Sequence, residues 1–162
     1  MKKYDIVRLV KEMNYSIEEF DKAKTKVMNY IMYKKRTEYE VKNKFSKILE
    51  ENLLNDIIDY VKEASYLSDS KYIERAIDEF KVLNNLSRKE IRYKLYSKGI
   101  ENTLIEDYFS KNSEELYEYE LKSAKNILIK KQYTMDEEEI KNYLRKKGYR
   151  DDIIKQAIEN EE

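Results

Sequence analysis

Eight residues between Glu90 and Phe109 return in kind 49 positions further on. Glu90, Ile91, Leu95, Lys98, Gly99, Leu104, Ile105 and Phe109 are answered by Glu139, Ile140, Leu144, Lys147, Gly148, Ile153, Ile154 and Ile158. A period of that length implies one supersecondary unit stacked on copies of itself, each too small to bury its apolar face alone. Apolar residues recur at three-and-four spacing on either side of each glycine, which reads as helix, turn, helix. Gly99 and Gly148 each follow a basic last turn, Ser97-Lys98 and Lys146-Lys147, where a left-handed residue ends a helix cheaply and cations complement the carbonyl end. A third helix precedes each pair, marked by the stripe Tyr72, Ile73, Ala76, Ile77, Phe80 and by Leu121, Ala124, Leu128.

A more divergent copy overlays the start of the chain, with Ala23, Val27, Tyr30 and Ile31 on its first helix, Val41, Phe45 and Ile48 on its second, and Ile57, Ile58 and Val61 on its third. Its turn has no glycine and is expected to be longer, since Phe45 and Ile57 lie further apart than Leu95 and Ile105. Residues 1–15 fall outside the repeats, and Ile6, Leu9, Val10 and Met13 predict a short amphipathic helix capping the array. Helix starts are predicted at Ser16-x-x-Glu19, Thr37-x-x-Glu40, Ser87-x-x-Glu90 and Thr134-x-x-Glu137, all capping boxes. The expected fold is all-α: an elongated, curved tandem array of three-helix repeats over 16–66, 67–112 and 113–162, about nine helices plus the N-terminal one. Proline is absent and there are only two glycines, in keeping with long helical stretches and few strands.

The composition narrows the chemistry. With no Cys and no His, thiol catalysis, Cys/His zinc sites, a Ser-His-Asp relay and an imidazole pH switch are all excluded. No glycine-rich phosphate loop exists, and no cofactor or metal is expected. The 33 basic and 33 acidic residues cancel. By segment, 1–66 carries 14 basic and 12 acidic residues, 67–112 carries 9 and 8, and 113–162 carries 10 and 13, so only the last is acidic. No apolar run approaches the roughly 18 residues that a bilayer requires, and a cytoplasmic protein without membrane contact is expected.

Three passages resemble the RecX regulators of the RecA recombinase, over roughly residues 20 to 160. Tyr30-Ile31-Met32-Tyr33-Lys34-Lys35-Arg36-Thr37-Glu38-Tyr39-Glu40-Val41 resembles the family's first-repeat passage, in which an apolar helix end leads to basic residues, then a hydroxyl residue and Glu. Tyr66-Leu67-Ser68-Asp69-Ser70-Lys71-Tyr72-Ile73 is similar to its second-repeat opening. Glu90-Ile91-Arg92-Tyr93-Lys94-Leu95-Tyr96-Ser97-Lys98-Gly99-Ile100 is the nearest of the three, and Tyr143-Leu144-Arg145-Lys146-Lys147-Gly148-Tyr149 repeats it. The chain departs from the family in having Ser87 where Gly is common, no glycine in its first turn, and no excess of basic residues. The resemblance implies a non-enzymatic protein of DNA repair and recombination that lies in the groove of a RecA filament on single-stranded DNA and restrains ATP hydrolysis and strand exchange. It implies no small-molecule substrate, and direct binding of single-stranded DNA is expected to be weak.

The partner-binding candidates are cations. On the helix from Ser87, Ile91 and Leu95 form the core seam, with Arg88 and Arg92 to one side and Lys94 and Lys98 to the other. Their repeat counterparts and neighbours are Lys141, Arg145, Lys146, Lys147 and Arg150. They read either as contacts to phosphates or acidic groups or as a solvated helix face. Lys34, Lys35 and Arg36 read as helix-terminal charge, and the resemblance raises Arg36, with Lys35 beside it, as a binding candidate. Tyr30, Tyr72, Tyr108 and Tyr143 fall on apolar stripes and read as core, whereas Tyr33, Tyr39, Tyr93 and Tyr96 are open to either packing or base stacking. The carboxylate runs 136–139 and 159–162 read as a helix start and a tail. Two other classes stay open: a helical nucleic-acid-binding protein acting without a recombinase, and a protein-interaction scaffold.

Overall fold

The computed structural model describes residues 14–83 and 85–159, and these contain helices and no strand. The expected helix within 1–15 lies almost wholly outside the described residues, as do the last three residues of the tail. Nine helices are described: α1 (Ile17–Tyr33), α2 (Glu38–Phe45), α3 (Glu51–Glu63), α4 (Asp69–Leu83), α5 (Arg88–Tyr96), α6 (Asn102–Lys111), α7 (Ser113–Lys131), α8 (Glu137–Lys147) and α9 (Asp151–Glu159). The chain divides into two compact units, 1–69 and 70–162.

In the first unit α1 begins at a reciprocal cap. The Ser16 hydroxyl accepts from the Glu19 amide at 3.1 Å and the Glu19 carboxylate accepts from the Ser16 amide at 2.7 Å. Four-residue spacing then buries Ala23, Val27 and Ile31 on one face. Thr37 opens α2 with the same box, and Val41 and Phe45 turn inward. Helix α3 contributes Leu53, Leu54, Ile57, Ile58 and Val61, and the core is closed by Leu67, which lies beyond α3. Two expectations fail here. Ile48 is 57% exposed, because it lies past the end of α2 and off its inner face. The connection 46–50 is also no longer than its counterpart 97–101. Counted from each helix start, Leu54 occupies the place of Ile105, so matching Ile105 to Ile57 overstated the interval.

The second unit holds two apolar clusters. Ile73 and Ile77 of α4, Ile91 and Leu95 of α5, and Ile105 and Phe109 of α6 form the first, completed by Leu116 and Tyr119 from α7. Ala124, Ile127 and Leu128 of α7 meet Ile140 and Leu144 of α8 and Ile153, Ile154 and Ala157 of α9 in the second. The two glycines have positive φ, 73° at Gly99 and 89° at Gly148, as expected of left-handed helix ends. Gly148 is confined further, since a Cβ there would lie 2.7 Å from the Lys89 side chain. The α8 start differs from expectation. Asp136 rather than Thr134 is the N-cap, exchanging bonds with Glu139, while the Thr134 hydroxyl donates to the Lys131 carbonyl at the end of α7.

Candidate partner-binding surfaces

The helix α5 illustrates how the cations are distributed. Ile91 and Leu95 are buried, and the flanking arginines fold back onto carboxylates of the same unit. Arg88 donates from Nε to Glu120 at 2.7 Å and from its backbone amide to the other oxygen of that carboxylate at 3.0 Å. Glu120 sits on α7 and is fully buried, and these bonds supply the donors that its oxygens lose on leaving water. Arg150 approaches the same carboxylate at 3.9 Å while pairing with Asp152 at 3.1 Å. Arg92 grips Glu106 of α6 through two bonds, 2.6 and 3.1 Å, with its guanidinium 4.1 Å from the Phe109 ring centroid.

On α8 the pattern is similar. Lys141 pairs with Glu137 at 2.5 Å and Glu138 at 3.0 Å, and these two carboxylates, in that order, raise its pKa above the usual lysine value. Arg145 donates to Asp151 at 2.9 Å. Lys147 reaches back to Glu90 at 2.8 Å, and its carbonyl accepts from the Ser87 hydroxyl at 2.7 Å. Arg88 and Lys147 are thus brought together where α5, α7 and the α8–α9 turn meet, held on Glu120 and Glu90, while Arg150 stays exposed at the edge of the same cluster. Beneath them the Ser123 hydroxyl lies 2.7 Å from the Tyr149 hydroxyl, wholly buried, and the Tyr119 hydroxyl accepts from the Leu86 amide. Burial is the main cause that raises the pKa of both tyrosines, most strongly at Tyr149.

Among the described residues, Lys34, Lys35, Arg36, Lys94 and Lys146 have no carboxylate partner. Lys94 is exposed, with its ammonium 5.8 Å from the Phe80 ring centroid. Lys98 is half-buried and engaged. At 100° per residue, the side of α5 opposite Ile91 and Leu95 carries Lys89, Tyr93 and Tyr96. Tyr93 is 73% exposed and Tyr96 65%. Of the tyrosines left open by the sequence, Tyr33 and Tyr39 are exposed as well, whereas Tyr30, Tyr72, Tyr108 and Tyr143 pack against cores as expected. In the first unit, Lys35 is exposed and Arg36 stacks on Tyr30.

Sequence reasoning missed the acids that fasten these elements. Asp69 accepts from the Glu38 amide, the first of α2, at 2.9 Å, just as Glu120 accepts from the Arg88 amide, the first of α5. The signal was present as an acid 31 or 32 residues after the first amide of each Ser/Thr-capped short helix. The 49-residue repeat would have found Asp136, which lies 49 residues after Ser87. Among the described residues no cluster of three metal-ligating side chains occurs, and no helix is long and apolar enough to cross a membrane.

No family model matches the sequence. Curated relatives do. The regulatory protein RecX of Clostridioides difficile is 28% identical over 145 residues, 87% of this chain and 68% of that protein. Regulatory protein RecX of Finegoldia magna is 32% identical over 108 residues, 66% of this chain and 51% of that protein. The chain thus spans between about half and two thirds of the length of these relatives. In fold it is similar to the crystal structure of RecX from Lactobacillus salivarius, with a TM-score of 0.75 and 23% identity over 90% of this chain and 97% of that one. A second crystal structure of a regulatory protein RecX gives 0.76 at 18% identity, covering 98% and 80%. The likenesses in sequence and in fold support the RecX family for this chain.

Proposed function

We propose that the protein is a non-enzymatic regulator that binds a RecA filament on single-stranded DNA in the cytoplasm and restrains its ATP hydrolysis and strand exchange. The observation that carries this reading, beyond the likeness to proteins named as RecX regulators, is the outer side of α5. In a chain of zero net charge it concentrates Lys89, Tyr93, Lys94 and Tyr96 on one helix whose lone acid, Glu90, is already paired with Lys147. Tyr and Lys side chains on a helix backed by a packed core present contact area and charge with little loss of freedom on binding. Each further patch engaged along a filament raises effective concentration, so modest contacts accumulate. Of the candidate cations, Lys35, Arg36 and Lys94 are proposed as contacts, while Arg88, Arg92, Arg145, Lys147 and Arg150 serve chiefly to fasten one element to another and Lys141 pairs within its own helix. Lys98 is carried as a candidate beside them.

The test is RecA ATP hydrolysis stimulated by single-stranded DNA. Stoichiometric or lower amounts of the protein should suppress it, and a Tyr93→Ala, Lys94→Ala, Tyr96→Ala chain should suppress it several-fold less. No suppression by the wild-type chain at any salt concentration sinks the reading. The exposed Tyr93 and Tyr96 beside Lys94 also favour a second reading, direct binding of nucleic acid without a recombinase. Anisotropy with a labelled single strand separates the two: tight, steeply salt-dependent binding to the bare strand supports the second, and weak binding that RecA restores supports the first.

A further inference from the structure

We propose that Arg36 is a preorganised receptor for a carboxylate of a partner protein, set in a cationic and aromatic corner where α1 gives way to α2. Its guanidinium carbon stands 4.1 Å from the Tyr30 ring centroid, and Tyr30 meets Phe45 of the core edge-on at 5.6 Å. One side of the planar fork is therefore held against a ring that is itself wedged in place. The Nε of Arg36 is buried and has no hydrogen-bond acceptor. A charged donor left in that state is rare in native proteins and calls for an explanation other than stability.

The surrounding acids are committed elsewhere. Glu38 pairs with Lys42 and Lys62, both at 2.7 Å. Glu40 accepts from the Thr37 amide and Asp69 from the Glu38 amide. Lys34 and Lys35 are exposed beside Arg36, and neither has a carboxylate partner among the described residues. The corner thus holds three uncompensated cations, one of them a stacked fork in a residue that is only half-buried. A fork held in place suits the two oxygens of a carboxylate, which a lysine meets only as a point charge. Met32 is 68%, Tyr33 88% and Tyr39 51% exposed in the same corner. Arg, Tyr and Met are the side chains enriched at protein–protein contacts, which favours a protein acid over a nucleic-acid phosphate.

The test rests on the proposed function for its probe, RecA assembled on single-stranded DNA, with the bare strand as the second arm. Arg36→Ala and Arg36→Lys should each weaken binding to the filament by about tenfold or more, leave any binding to the bare strand within about twofold, and keep the thermal transition. Wild-type binding with both variants equal to it overturns this inference alone, and so does Arg36→Lys binding as tightly as wild type, since charge without the fork would then suffice. Equal losses on filament and bare strand also overturn it and make a phosphate the ligand. A wild-type chain that does not bind the filament overturns the proposed function and this inference with it. Should Arg36→Ala lose its thermal transition, Arg36→Lys carries the test, because lysine keeps the stem and the charge.

Discussion

Glu120 is the residue on which the second unit turns. A fully buried carboxylate is tolerated only where charge and hydrogen bonds compensate it, and here an arginine side chain, a helix-starting amide and the more distant Arg150 do so. Glu120→Gln keeps an acceptor for the Arg88 amide but leaves Arg88, whose side chain is 13% exposed, without its counter-charge. Urea unfolding should show a loss of about 2–3 kcal/mol, just under the range for losing one partner of a buried pair outright. An unchanged midpoint would show that water already solvates the pair. Tyr149 gives a second handle. Burial, partly offset by the Ser123 hydroxyl and reinforced by Tyr119, Glu90 and Glu120, raises its pKa above that of a free phenol. Folding therefore favours its protonated form, a contribution complete below about pH 10 and eroded as the pH rises further. Stability measured from pH 9 to pH 11.5 should fall more steeply for the wild type than for Tyr149→Phe. Nothing local marks Glu120, which sits among other acids on α7; only its distance from Arg88, close to that of Asp69 from Glu38, sets it apart.

Helices were legible where the constraint is local. Ser16, Thr37 and Ser87 were placed correctly as caps because a hydroxyl followed by an acid three residues on is sufficient to satisfy the exposed amides. Thr134 met the same pattern and failed, since a competing pattern two residues later sits at the true helix start and Thr134 instead closes the previous helix. Short patterns cannot rank two overlapping solutions, but the repeat period can. Asp136→Ala should cost about 1 kcal/mol in thermal or chemical unfolding, while Thr134→Ala should stay within a few tenths. The reverse order would return the cap to Thr134. The candidate surface was legible in part: periodicity placed the cations beside the α5 and α8 seams, but which of them meet an acid depends on residues of other helices, 14 positions away for Arg92 with Glu106 and 57 for Lys147 with Glu90.

Across the molecule, the two units have separate cores and distinct sensitivities. In the first unit Glu38 joins α2 to α3 through Lys62 while also pairing with Lys42 on its own helix. Burial works to raise its pKa, but the bonds to Lys42 and Lys62 outweigh it and the net shift is downward. Its contribution is thus present above about pH 4.3 and is lost as the pH falls through the lower folded value. Between pH 5 and pH 3, hydrogen exchange in α2 and α3 should accelerate more in wild type than in Glu38→Gln, by an amount worth at most about 1 kcal/mol because the pair is partly exposed. Equal acceleration would assign the acid sensitivity to other carboxylates. The fold class was legible across the described residues, since repetition multiplies a weak signal; the way one triplet completes another was not. Leu67 and Asp69 finish the core and the α2 start that precede them, and Leu116, Tyr119 and Glu120 do the same for the core and the α5 start before them. A hybrid that exchanges one module of this chain for another must consequently carry an overhang of several residues from the segment downstream, or the transplanted piece arrives without its own last ligands and side chains.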